Sequence, residues 1–195
     1  MSSNRLQSPE QIRHSRLCAG RRAALAVLAL VGALAALSGV AGAARLPALP
    51  TVLARQIAAA NRTPGAPPVL LPARMPLDAR RLYASGAATG HSYDFSLGAV
   101  RNCGEATACF VAAFSAHRGQ AVFGRRVTVR GASRAGFRPL SCGASCSPPM
   151  IDYLVRGVLY TIQANLGRSG HDRAELIAAA AASIAAGPRI QAPRP

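Results

Sequence analysis

Cys103, Cys109, Cys142 and Cys146 form an even set in the second half of this 195-residue chain, spaced Cys-x5-Cys and Cys-x3-Cys. Outside a reducing cytoplasm such a set forms disulfides. Zinc is the rival chemistry, but structural zinc prefers pairs about two to four residues apart, which only the second pair offers. A thioredoxin-type redox site needs Cys-x-x-Cys, which neither pair has. For the pairing, two arguments oppose each other. Local geometry favours Cys103–Cys109 and Cys142–Cys146, and this is the expected pairing. Chain entropy favours a long-range pair such as Cys103–Cys142, worth about 4 kcal/mol against about 2 kcal/mol for a short loop.

The second chemical group is arginine. Arg125, Arg126, Arg130, Arg134 and Arg138 crowd a short stretch, and a guanidinium fork suits phosphates and carboxylates. These five are the candidate anion-binding residues. Nucleic acid is a poorer match, because aromatic stacking partners are sparse there. A solvated basic face is the competing reading. All 23 basic residues are Arg, with no Lys, as a GC-rich genome also produces.

Other reactive residues carry less. Gly90-His91-Ser92-Tyr93-Asp94 has the outline of a Gly-x-Ser-x-Gly nucleophile elbow, but Asp94 replaces the last Gly. The stretch also enters a strand and lacks the following helix that the motif requires. His117 is expected in a turn beside Arg118-Gly119, and His171 at a helix entry. Asp94 and Glu105 could meet near one end of a sheet. No catalytic, cofactor or metal-binding residue is assigned, and an enzymatic role is the less favoured class.

The elements that must position these residues follow from patterning. Arg5, Arg13, Arg16, Arg21 and Arg22 precede an uncharged run from Ala23 to Ala44. A bilayer core takes roughly 20 apolar residues as a helix. The Arg-rich leader then stays inside and the bulk of the chain lies outside. Ala41-Gly42-Ala43 equally supplies small residues for signal cleavage before Ala44. A transmembrane anchor and a cleavable signal both remain open. From Ala44 onward 18 arginines face six carboxylates, a net +12, a field that attracts anionic polymers or lipid head groups.

The expected organisation is a basic leader over 1–22, the membrane or signal segment over 23–44 and a Pro-rich stalk over 45–90. An exported α+β domain follows over 91–187, and a tail over 188–195. Thr63-Pro64-Gly65-Ala66-Pro67-Pro68 underlies the stalk, since such segments are stiff and extended. A brief helix over Asp78 to Ala84 is expected within it. Period-two alternation starts at Tyr93, Phe95 and Leu97, continues through Phe110, Ala112 and Phe114, and recurs at Val127 and Val129 between Arg126, Thr128 and Arg130. Phe137 to Leu140 reads as an edge strand because of Pro139. Ile151 to Val155 and Val158 to Ala164 flank Arg156-Gly157, a two-residue hairpin turn. Asp172 and Glu175 spell a capping box before an apolar stripe of Leu176, Ile177, Ala180 and Ile184, closed by Gly187-Pro188. The fold class is therefore α+β: an antiparallel sheet of about five to six strands covered by a C-terminal helix.

The segments "GVLYTIQANLG", "HDRAELIAAAAASIAAGPR" and "LSCGASCSPP" resemble exported or membrane-anchored α+β domains of actinobacteria, over His91 to Arg189. Tyr153 stands near the place where such domains often carry a Trp. The resemblance implies an envelope location, at the cell membrane or secreted, and an α+β fold. It transfers no activity and no catalytic residue. The expected role is a non-enzymatic extracytoplasmic binding module. The alternatives are an Arg-mediated binder of anionic envelope components and an exported enzyme.

Overall fold

The alternating segments pair into a seven-stranded antiparallel sheet in the computed structural model, which describes residues 46–103, 106–167 and 170–190. The chain runs through α1 (Leu49–Val52), α2 (Ala54–Arg62), β1 (Tyr83–Ala88), β2 (Ser92–Gly98), β3 (Phe110–Arg118), β4 (Arg125–Val127) and β5 (Arg134–Arg138). It continues through β6 (Ser141–Cys142), β7 (Cys146–Ser147), β8 (Met150–Val155), β9 (Val158–Ala164) and α3 (Asp172–Ala186). The order across the large sheet is β1-β2-β3-β9-β8-β5-β4, with β6-β7 a separate ribbon. Val155 pairs with Val158 across Arg156-Gly157. Both turn residues have positive φ, 50° and 77°, as a type I′ hairpin turn demands.

Register sorts the side chains onto two faces. Ala135, Tyr153, Tyr160, Ala116 and Tyr93 fall in one row across five strands, and Phe137, Ile151, Ile162, Phe114 and Phe95 in the next. All ten are buried. The opposite face presents Asp94, Ser115, Thr161 and Asp152 in one row and His117, Leu159 and Leu154 in another.

Seven strands at about 4.8 Å spacing make a sheet roughly 29 Å across, whereas a single helix is about 10 Å wide. α3 cannot cover the apolar face alone. It packs there through Leu176 and Ala180, both fully buried, with Ile177 and Ile184 half-buried beside the core. Tyr153 and Ser183 share a hydroxyl hydrogen bond of 2.7 Å between sheet and helix. The rest of the face is covered by residues expected in the stalk. Leu49, Leu53, Ile57, Val69, Leu71 and Met75 are all 2% exposed or less and belong to the same core. Tyr160 donates to the Pro68 carbonyl at 3.0 Å, and the Leu70 N–H donates to the Tyr93 hydroxyl at 3.4 Å. Residues 49–75 are thus part of the domain. The prolines shape a strap that lies on the sheet.

Other expectations are corrected too. Asp78 to Ala84 forms no helix, and Tyr83 begins the edge strand β1. β5 lies inside the sheet between β4 and β8; Pro139 falls just past its end, so the ladder loses no donor. Asp172 is the first helical residue of α3, its N-cap is His171, and no side chain caps that end. The tail is tied down where it starts. Arg189 donates its backbone N–H to Val69 and its guanidinium to the Leu71 carbonyl at 2.8 Å. The leader and the apolar run lie outside the described residues. Among the described residues, no helix is long and apolar enough to cross a membrane.

Candidate functional site

The candidate site is built on the open face, where β5 meets the edge strand β4. Within β5, Ala135 and Phe137 turn to the core, so Arg134, Gly136 and Arg138 turn to the open face. Arg126 pairs with Gly136 and shares that face. Gly136 has a specific use. A Cβ there would run into the backbone of Phe123, so glycine lets the 119–124 loop lie directly on the strand.

A buried carboxylate holds the loop in place. Asp152 is 1% exposed and accepts from Thr161 Oγ1 at 2.7 Å, from the Phe123 backbone N–H at 3.2 Å and from Arg138 Nη2 at 3.2 Å. Three donors compensate the buried charge. The same contacts fix the loop against β5 and β8 and commit Arg138 to a structural partner.

Between this loop and the β4–β5 edge lies a groove of about 720 Å³ lined by Arg126 and Arg134, with Gln120, Val122 and Leu154 among its walls. No carboxylate lines it. Among the described residues, neither arginine has an acidic partner within 4.0 Å. Of the five candidate arginines, the structure therefore brings two together over one concavity. Arg138 sits on the same face, tied to Asp152. Arg125 begins β4, and alternation turns it to the other side. Arg130 lies in a turn beyond the strand and not on it, although Val127 and Val129 are buried with Thr128 and Arg130 exposed between and after them.

The four cysteines form two local disulfides. Cys103–Cys109, with Cα atoms 5.7 Å apart, closes the β2–β3 connection, and Cys142–Cys146, at 4.0 Å, staples the β6–β7 ribbon. With all four sulfurs so bonded, zinc ligation by them is excluded in this state. Ser92 starts β2, and its hydroxyl is 3.0 Å from that of Thr89, so the stretch forms a turn and not a nucleophile elbow. His117 is not isolated: its Nε2 lies 3.2 Å from Asp94 Oδ1 on the neighbouring strand. Glu105 lies outside the described residues.

Tyr93, Tyr153 and Tyr160 form an inward-facing row under the strap and α3. Burial pushes Tyr93 and Tyr153 well above the ordinary phenol range. It pushes Tyr160 up to about 12, with the Arg118 guanidinium pulling the other way. Period-two spacing marks all three as inward-facing; nothing in the spacing marks which carbonyl or hydroxyl each would meet.

Comparison with protein-family models, with curated proteins and with solved structures finds no match to this chain.

Proposed function

We propose that this chain is a non-enzymatic, extracytoplasmic binding module whose ligand is anionic and sits in the groove between the 119–124 loop and the β4–β5 edge. One observation carries the reading: Arg126 and Arg134 line a single concavity with no carboxylate in its walls. Two guanidinium groups over one groove, with no carboxylate in its walls, are poised for an anion from outside. The location rests on the two disulfides, which belong to oxidising compartments, and on the Arg-led apolar run over 23–44. The net +12 from Ala44 onward would draw anionic envelope polymers or head groups toward the site.

The test uses a soluble polyphosphate as probe and the Arg126→Ala/Arg134→Ala variant. Binding should weaken at least tenfold, and its dependence on salt should flatten. Arg80→Ala/Arg81→Ala removes the same charge from exposed positions outside the groove. Equal losses in the two double variants would reduce the effect to net charge and sink the groove as the seat.

A further inference from the structure

A second concavity lies at the other side of the Gly131–Ser133 turn, on the apolar face. Its volume is about 460 Å³, within the range of about 300–1,000 Å³ usual for small-molecule sites. Leu70 of the strap, Val158 of the β8–β9 hairpin and Ile184 of α3 form its walls, and Tyr160 stands at its floor. The Tyr160 hydroxyl is spent on the Pro68 carbonyl, which fixes the strap as one wall. At the rim stand Arg118, at the end of β3, and Arg156, in the hairpin turn, both exposed. No carboxylate lines this cleft, and neither arginine has an acidic partner among the described residues.

We propose that this cleft is a binding site for an amphiphilic anion, a single alkyl chain bearing a carboxylate or phosphate head. The chain would lie against Leu70, Val158 and Ile184, and the head would meet Arg118 and Arg156. The charge argument has one opposing term. The C-terminus of α3, closing at Gly187, presents carbonyls equivalent to about half a negative charge. Two whole guanidinium charges outweigh it. An inorganic anion would leave the apolar walls in water, and a neutral alkane would leave the guanidinium pair unused. Only a ligand with both parts satisfies both. This site shares only Ser133 with the Arg126–Arg134 groove and does not depend on that reading.

The experiment is photolabelling of the purified full chain with a diazirine-bearing dodecanoate, followed by peptide mapping. Label should fall on peptides containing Leu70, Val158 or Ile184. Competition by unlabelled hexanoate, octanoate and decanoate should strengthen by about fourfold per added methylene. Dodecyltrimethylammonium should not compete. Arg118→Gln/Arg156→Asn should cut labelling at least tenfold; Asn tolerates the positive φ of position 156, so the hairpin is kept. Arg126→Ala/Arg134→Ala should leave labelling unchanged, which separates this site from the polyphosphate test. Dodecyl phosphate competing better than dodecanoate would assign the head group to phosphate, and the reverse order to carboxylate. Label spread over other peptides, competition indifferent to chain length, or full labelling of the Arg118→Gln/Arg156→Asn variant would overturn the proposal.

Discussion

Tyr93 and Tyr153 are titratable side chains buried in the core, at 1% and 0% exposed. Both are neutral at ordinary pH, and burial raises their pKa in the fold while the unfolded chain keeps the usual value of about 10. Below pH 10 both states hold the proton and stability is unaffected by it. Above pH 10 the unfolded state loses protons that the folded state retains, so stability falls as pH rises. Each of these tyrosines should remove about 1.4 kcal/mol per pH unit above that point, and Tyr160 adds to the loss up to its own value of about 12. Alkaline unfolding of the Tyr83→Phe variant, which keeps only the three buried tyrosines, should therefore be cooperative by tyrosinate absorbance and coincide with loss of far-ultraviolet dichroism. Gradual titration near pH 10 with the fold intact would show the hydroxyls to be accessible. At the same scale, the arginines divide by partner: Arg138 is bound into the Asp152 network, while Arg126 and Arg134 have no acidic partner among the described residues. The sequence displays all five alike, because pairing is decided by which carboxylate lies across the sheet.

The strap and α2 behave as a core element, and their composition hides it. Leu49, Leu53 and Ile57 have helical spacing, but Thr63 to Pro68 and Pro72 follow, and prolines in series suit an extended linker equally well. Sheet width settles the matter, since one helix covers only about a third of the apolar face. Leu71→Ala should therefore cost as much as Leu176→Ala, about 2–5 kcal/mol each by denaturant unfolding. A loss below about 0.5 kcal/mol for Leu71→Ala with a full loss for Leu176→Ala would return the strap to linker status. Strands β2, β3, β8 and β9 were legible because alternation is the direct imprint of one buried face. β1 was not: Tyr-Ala-Ser-Gly-Ala-Ala has no apolar alternation, and only pairing with β2 makes it a strand.

For the whole molecule, both disulfides are local, so each closes a short loop and stabilises by about 2 kcal/mol in the chain-entropy account. Neither joins distant parts of the sheet. Reduction should lower the unfolding midpoint modestly and leave the seven-stranded sheet folded, as judged by dichroism at moderate temperature. Non-reducing peptide mapping should give two intrapeptide or adjacent-peptide links and none between the two pairs; collapse of the fold on reduction would mean that the sheet cannot stand on its own core. The apolar run over 23–44 ends five residues before Leu49, the first core side chain, so no stalk of the expected length separates them in sequence. By itself the sequence determined the α+β class, the central hairpins, the two-residue turn at Arg156-Gly157 and the helix that docks through Leu176. These follow from short-range spacing, and spacing is a local property. Tertiary structure alone decided that residues 49–75 roof the sheet and that Asp152 holds the 119–124 loop. It also brought Arg126 with Arg134, and Arg118 with Arg156, to concavities whose walls hold no carboxylate. Those outcomes depend on which segments meet across the sheet, and the periodicity of any one segment does not encode its neighbour.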